Sequence, residues 1–426
     1  MKKLFAVIAL ILVLFIIAIY WSLNTTPDKV EISKLVNFED SSSVNFKDYD
    51  SIMITASTQY KSNEFKNLMQ GEHYRQAWAT PIKAPIVFLD TLYGGMTIIK
   101  EGGGKQTQSL KVQAADGINY TLRSIDKNPE ALIPEFAKTL GLENIVLDGI
   151  SAQHPYGAIV VEELSNKAGI LNTAPKIVFI PKQDALGDYN NTYGNRLYLF
   201  EYESDSEINW TKFSDVIEIV DTKKLQEMKM DHKENLQTDK HALVRARLFD
   251  LLIGDWDRHA KQWGWVVQKK GENYNAIPLP CDRDNAFFNL EGVIPNIIAN
   301  KSIRPEMRPF QQEIDYLPGL VQRFDVYFLK NIPEDIFVEE AEYLQKALTD
   351  SVIDEALHSW PEDIYELNGE EIARKLKERR THLVDYAKGF KKIVDEKELL
   401  NESLKGSEDL ELPQELVGCF GCNEKN

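Results

Sequence analysis

Asp255-Trp256-Asp257-Arg258-His259-Ala260-Lys261-Gln262, followed beyond a short apolar stretch by Asp282-Arg283-Asp284, gathers charge where a hydrophobic core would reject it. Buried charge without a partner is costly, so such clusters tend to serve chemistry. The flanking pattern says how they are positioned. Asp239 to Ile253 reads as a helix, because Leu243, Ala246, Phe249 and Ile253 recur at spacings of three and four, and it ends at Gly254. Trp263 to Gln268 and Asn275 to Leu279 read as strands around the turn-forming Lys269-Lys270-Gly271-Glu272-Asn273. An antiparallel hairpin returns the chain to its start and brings Asp282 near Asp257 and Gln262. Oxygen-bearing side chains facing one small volume suit a hard cation such as Mg²⁺, completed by substrate phosphates. A solvated loop with an Asp–Arg pair tying the helix end to the hairpin is the alternative. No His-Glu-x-x-His or matched Cys-x-x-Cys pair is present to point to zinc.

Upstream, Gly102-Gly103-Gly104-Lys105-Gln106-Thr107 is a glycine-rich loop. It leads into Ser109 to Gln113, the turn Ala115-Asp116-Gly117, and Asn119 to Arg123. Glycines let backbone N–H groups approach phosphate oxygens, and the cations Lys105 and Arg123 would neutralise them. A flexible turn has the same composition. Ile150 to Gly169 reads as a helix closed by Gly169, and Arg196 to Tyr202 as an alternating strand.

The helix, the loop with an Asp and an amide five residues later, the hairpin and the following Asp together resemble the catalytic segment of protein-kinase-like phosphotransferases. The Asp-Arg-His wording and Asp-x-Asp ending are most similar to the atypical branch containing the CotH, HipA and secreted Golgi casein kinases. The resemblance implies Asp257 as the base, with His259 a second catalytic candidate that reads equally as a helix-end histidine. Gln262 stands in place of the usual metal-binding Asn, Asp282 takes the metal, and Asp284 is a further ligand candidate. It implies Gly102, Gly103, Gly104, Lys105 and Arg123 as the nucleotide-binding set, with Arg123 in place of the strand lysine. Glu162 or Glu163 becomes the candidate partner of Arg123, and Arg196 to Tyr202 the hinge strand. The cofactors implied are a nucleoside triphosphate, ATP foremost, and Mg²⁺ or Mn²⁺. The fold implied is α+β, a two-lobed protein-kinase-like fold behind an N-terminal transmembrane helix. Two functions follow: a metal-dependent phosphotransferase acting on an envelope or protein acceptor, or a catalytically weak kinase-fold binding module.

With 426 residues the chain can bury one large or two modest cores, and its net charge of −17 excludes a nucleic-acid partner. Lys2-Lys3 precede an uncharged apolar run from Leu4 to Trp21, long enough to span most of a bilayer. The lysines predict a cytoplasmic N-terminus and an extracytoplasmic body, and the absence of a small-x-small site favours a retained anchor over a cleaved signal. The expected organisation is an anchor over 1–23, a tether and lead-in segment over 24–70, a nucleotide-binding lobe over 71–205, a catalytic lobe over 206–400 and an acidic tail over 401–426. Helical stripes run through 333–400, where Arg379-Arg380 reads as a solvated face. Lys301, Arg304 and Arg308 in the irregular stretch 289–316 could hold a phosphate or form structural salt bridges. Cys419-x-x-Cys422 could be a disulfide or half of a metal site, and Cys281 a core thiol. Tyr74-Arg75-Gln76-Ala77-Trp78, His154-Pro155-Tyr156-Gly157 and the Gly254 to His259 wording also resemble a module of bacterial cell-envelope proteins. In some of these it accompanies a calcineurin-like phosphoesterase domain, whose own metal motifs this chain lacks.

Overall fold

A computed structural model describes residues 1–23, 33–36, 44–103, 107–128, 130 and 133–422. Helix α1 (Lys2–Leu23) carries no acidic residue and keeps its apolar side chains exposed. It is long and apolar enough to cross a membrane; at 1.5 Å per residue it spans roughly 33 Å.

The stretch expected as a lead-in segment contributes to the body. Strand β1 (Ser51–Ile54), helices α2 (Glu64–Gln70) and α3 (Arg75–Ala79) and strand β2 (Ile82–Pro85) bury Ile52, Ile54, Tyr60 and Trp78 in the main core. There Asp148 takes both Lys66 and Arg75, all three side chains buried.

A five-stranded antiparallel sheet follows, built from β3 (Met96–Gly102), β4 (Ser109–Ala114), β5 (Asn119–Ser124), β6 (Lys176–Ile180) and β7 (Arg196–Tyr202) in the order β3-β4-β5-β7-β6. Strand alternation gives it two apolar faces. Leu110, Val112, Leu122, Val178, Tyr198 and Phe200 pack together in one core. Phe179, Leu197 and Leu199 turn the other way, toward Val160, Val161 and Leu164. Those three belong to α6 (Gly157–Lys167), which follows the short helices α4 (Glu135–Thr139) and α5 (Glu143–Gly149) in the β5–β6 connection. The helix expected over 150–169 starts only at Gly157. Ile150–Ala152 is a single 3-10 turn, and the residue before Pro155 is disfavoured from the helical region.

After the short helix α7 (Asn190–Tyr193) and β7, the chain enters a second body. Strand β8 (Val216–Asp221), helix α8 (Thr222–His232), β9 (Leu236–Thr238), α9 (Lys240–Ile253), β10 (Trp263–Lys270) and β11 (Asn273–Pro280) form it, with a sheet ordered β8-β10-β11-β9. Helices α10 (Val293–Ile298), α11 (Leu317–Leu320), α12 (Arg323–Leu329), α13 (Glu334–Ala347), α14 (Asp350–Leu357), α15 (Glu362–Thr381) and α16 (Leu383–Glu396) follow, and α13, α15 and α16 pack against α9. The molecule is thus a mixed α+β protein with several sheets and an N-terminal apolar helix.

Two surface expectations are corrected. Arg379 is buried rather than solvated and donates to the carbonyls of Leu251 and Gln311; burial pushes its guanidinium down to about 10. The stretch expected as an acidic tail packs back onto the body through α17 (Gln414–Gly418), with Leu404, Cys419 and Phe420 buried. The Phe420 N–H donates to the Tyr327 carbonyl at 2.9 Å, and Cys419 and Cys422 form a disulfide.

Candidate active site

Helix α9 determines where the Asp-rich loop begins. Asp239 caps its first turn by accepting from the Ala242 N–H, and Gly254 ends it in the left-handed region at φ 72°. A side chain at Gly254 would also strike Phe310, so the chain must turn here into residues 255–262.

Inside that turn lies a charge cluster. Asp250, fully buried at the end of α9, pairs with Arg247 at 3.3 Å, Arg258 at 3.0 Å and Arg283 at 2.9 Å. Arg247 also holds Asp325 at 2.6 Å. Arg258 makes the decisive local contacts. Its guanidinium donates to the carbonyls of Cys281 and Gln262 at 2.9 and 3.1 Å, tying the loop to the exit of the β10–β11 hairpin. Burial works against the Asp250 carboxylate, but Arg258, Arg283 and Arg247 outweigh it and hold its pKa below the usual range. Burial wins at Asp255, whose carboxyl is pushed well up despite Arg258.

The hairpin delivers Asp282 with φ 57°, uncommon for a residue with a side chain. Gln262, buried at the loop's end, hydrogen-bonds to its carboxylate. Across the cleft, Arg123 of β5 reaches Asp282 Oδ1 with Nη1 at 2.8 Å and Glu201 Oε1 with Nε at 2.9 Å. Register accounts for Glu201, because Arg123 faces Leu199 on β7 and Glu201 lies two residues on, on the same face. Glu201 also accepts from Thr173 Oγ1 at 2.5 Å. Lys127, just past β5, pairs with Asp284. Arg123, Lys127, Arg258 and the Gln262 hydrogen bond overcome burial and keep Asp282 low. Asp284 goes the other way, raised by burial and by Asp282. One carboxylate is therefore firmly ionised and its neighbour holds a proton more readily.

A small cleft of about 30 Å³, open to solvent, lies between the five-stranded sheet and the second body. Arg123, Glu162, Glu201, Asp282 and Asp284 all border it. Burial raises Glu162 to about 6, yet the acids paired with Arg123 are Glu201 and Asp282. Asp257 sits nearer the solvent on the loop, 3.9 Å from His259 Nε2. Burial lowers the His259 pKa against the pull of Asp257, and its Nδ1 is buried without a hydrogen-bond partner. The Cys281 thiol is buried and pushed up to about 11, the behaviour of a core thiol.

The structure thus brings Arg123, Gln262, Asp282 and Asp284 together, with Asp257 and His259 on the adjoining loop. Gly102 ends β3, and Gly103 has φ 114° with Thr107 O where a Cβ would be, so only glycine fits there. Gly104 and Lys105 lie outside the described residues. Arg308 makes structural bonds, to the Ala299 carbonyl and to Asp315 at 3.2 Å, and Arg304 pairs with Glu306 at 2.5 Å. Sequence reasoning missed Glu201 and Lys127. A glutamate interrupting the apolar run Leu197 to Tyr202 was the one signal for the former. Among the described residues, no group of three or more His, Cys, Asp or Glu side chains is arranged to hold a metal. The donor set here is two carboxylates and an amide oxygen, with Asp282 Oδ1 facing the Arg123 guanidinium at 2.8 Å.

No protein-family model matches the chain, and no curated protein does. Among solved structures, it is similar to the Helicobacter pylori proinflammatory kinase CtkA, with 13% identity and a TM-score of 0.36 over 69% of this chain and 95% of that one. It is also similar to a chain of the Shewanella oneidensis MR-1 toxin–antitoxin complex of HipA, HipB and operator DNA, with 13% identity and a TM-score of 0.32 over 76% of this chain and 70% of that one. At such TM-scores neither likeness carries weight for the chemistry.

Proposed function

We propose that the protein is a membrane-anchored, metal-dependent phosphotransferase of the atypical kinase type. The observation that carries this reading is the meeting, across one cleft, of Arg123 from the five-stranded sheet with Asp282 and Gln262 from the second body. The strand order, the glycine turn between β3 and β4, and α6 between β5 and β6 agree with a two-lobed kinase-like arrangement.

In this reading Arg123 binds nucleotide phosphates bidentately, and Gly102, Gly103, Gly104 and Lys105 cover them. Asp282, Gln262 and Asp284 supply oxygens that suit Mg²⁺ or Mn²⁺. Such a cation, when bound, neutralises charge on the phosphates. Asp257 orients the acceptor hydroxyl and takes up its proton, with His259 3.9 Å away on the same loop. Glu201 keeps Arg123 aimed into the cleft. Helix α1 anchors the chain, and the Cys419–Cys422 disulfide agrees with an extracytoplasmic body, since disulfides persist in oxidising compartments.

A second reading, a kinase-fold binding module without turnover, is favoured by one observation: Asp282 and Asp284 are already engaged by Arg123 and Lys127. Thermal unfolding with nucleotides and Mg²⁺ or Mn²⁺ tests the shared premise. A ligand at about 100 times its Kd adds roughly 2.7 kcal/mol, a readable rise in Tm that Asp282→Ala should abolish. Unchanged melting of the wild type across nucleotides and metals would remove both readings.

A further inference from the structure

Helix α1 is fixed to the body at its last turn. Gln70 of α2 donates to Ser22 Oγ at 2.9 Å, the Trp21 ring lies 4.7 Å from Phe65, and the Tyr20 hydroxyl donates to the Leu140 carbonyl at 2.8 Å. The surface around this junction is apolar and faces outward. Leu68 on α2 is 63% exposed, Phe136 on α4 66%, Leu140 51% and Ile297 on α10 50%.

These residues sit on adjoining elements. Helix α10 starts against the end of α2, where a Cβ on Gly292 would stand 2.3 Å from the Gly71 nitrogen. His73 Nε2 contacts the Glu291 carbonyl at 3.2 Å. Val293 and Ile297, four residues apart, share the outward side of α10. Single exposed apolar residues are ordinary, whereas a group around the foot of a membrane-spanning helix is continuous with the apolar surface of that helix.

We propose that Leu68, Phe136, Leu140, Val293 and Ile297 form a second, non-spanning membrane contact, seated in the interface of the bilayer that α1 enters. This rests on the reading of α1 as an anchor. Because α10 follows directly on the Asp284 segment, lipid contact there would orient the cleft relative to the membrane surface. The acceptor would then have to present its hydroxyl close to the lipid head groups.

Nitroxide labels on the full-length chain in phosphatidylcholine–phosphatidylglycerol vesicles test the inference. They would be attached singly through Phe136→Cys, Ile297→Cys, Ile11→Cys in α1 and Glu272→Cys at the exposed hairpin tip. Cys281 is buried and Cys419 and Cys422 are bonded to each other, so the introduced thiols take the label. Labels at 136 and 297 should lose collisions with an aqueous nickel chelate and gain collisions with oxygen relative to 272, at a shallower depth than 11. If 11 reports lipid while 136 and 297 match 272, the docking face is refuted and the anchor stands. If 11 is itself aqueous, the anchor reading falls and this inference with it.

Discussion

Replacing Arg258 by methionine separates the structural from the chemical role of the Asp-rich loop. The guanidinium is fully buried, pairs with Asp250 at 3.0 Å and donates to two backbone carbonyls. Methionine fills most of the volume but leaves those acceptors unpaired and Asp250 with one cation fewer. Breaking a buried pair by removing one partner costs about 3–5 kcal/mol. At roughly 2–4 °C per kcal/mol for a large domain, Tm should fall by about 6–20 °C. Asp250→Asn should cost as much, because it strips the carboxylate from three arginines. Asp255→Asn is the control. Burial pushes that carboxyl well up, so the fold favours its neutral form, and the amide should cost under about 1 kcal/mol. Thermal unfolding of the full chain in nanodiscs, followed by tryptophan fluorescence, reads all three. The reasoning is refuted if Arg258→Met melts within about 2 °C of wild type, or if Asp255→Asn is as damaging as Asp250→Asn.

Asp257→Asn should lower phosphoryl transfer by about 10²–10⁴ while leaving the nucleotide-induced melting shift intact; equal rates in variant and wild type would move the base role elsewhere. Burial lowers His154 to about 3 and His73 to about 4, so both are neutral in the fold and take up protons on unfolding. Their contribution is complete above the unfolded value near 6.5 and is lost as pH falls toward those values, about 3 kcal/mol or more for each. Denaturant titrations from pH 7 to 4 should show this slope and its reduction in His154→Phe; an unchanged slope contradicts the assignment. A reporter active only outside the cytoplasm should work when fused after Asn426, and deleting residues 4–21 should release the protein from membranes; an inactive reporter on a soluble full-length chain overturns the topology.

The parts of the site legible in the sequence are those governed by local rules. The apolar stripe, Asp239 cap and Gly254 stop define α9, and the hairpin that carries Asp282 back is read from its turn and alternation. The strands on either side of the Ala115-Asp116-Gly117 turn are read the same way, whereas β3 ahead of the glycine loop is not. Partners across the fold were hidden. Glu201 reaches Arg123 only through the β5–β7 register, and Lys127 meets Asp284 from 157 residues away. Arg247 and Asp250 fall off the apolar stripe of α9 and resemble a solvated face, yet both are buried because Asp325, Arg258 and Arg283 come from elsewhere to pair with them. Arg379 is concealed in the same way, its partners being backbone carbonyls that carry no sequence signature.

The sharing of Asp250 among arginines from α9, the loop and the segment after the hairpin bears on how this site can change over generations. Each arginine is safe to lose only if the other charges are rebalanced, so substitutions in the cluster are strongly non-additive. Asp257, half-exposed and outside the cluster, is under no such constraint. Selection for stable folding alone would therefore preserve the shape of the cleft long after selection for turnover had lapsed. A descendant could exchange catalysis for recognition by altering one rim residue while inheriting the scaffold intact.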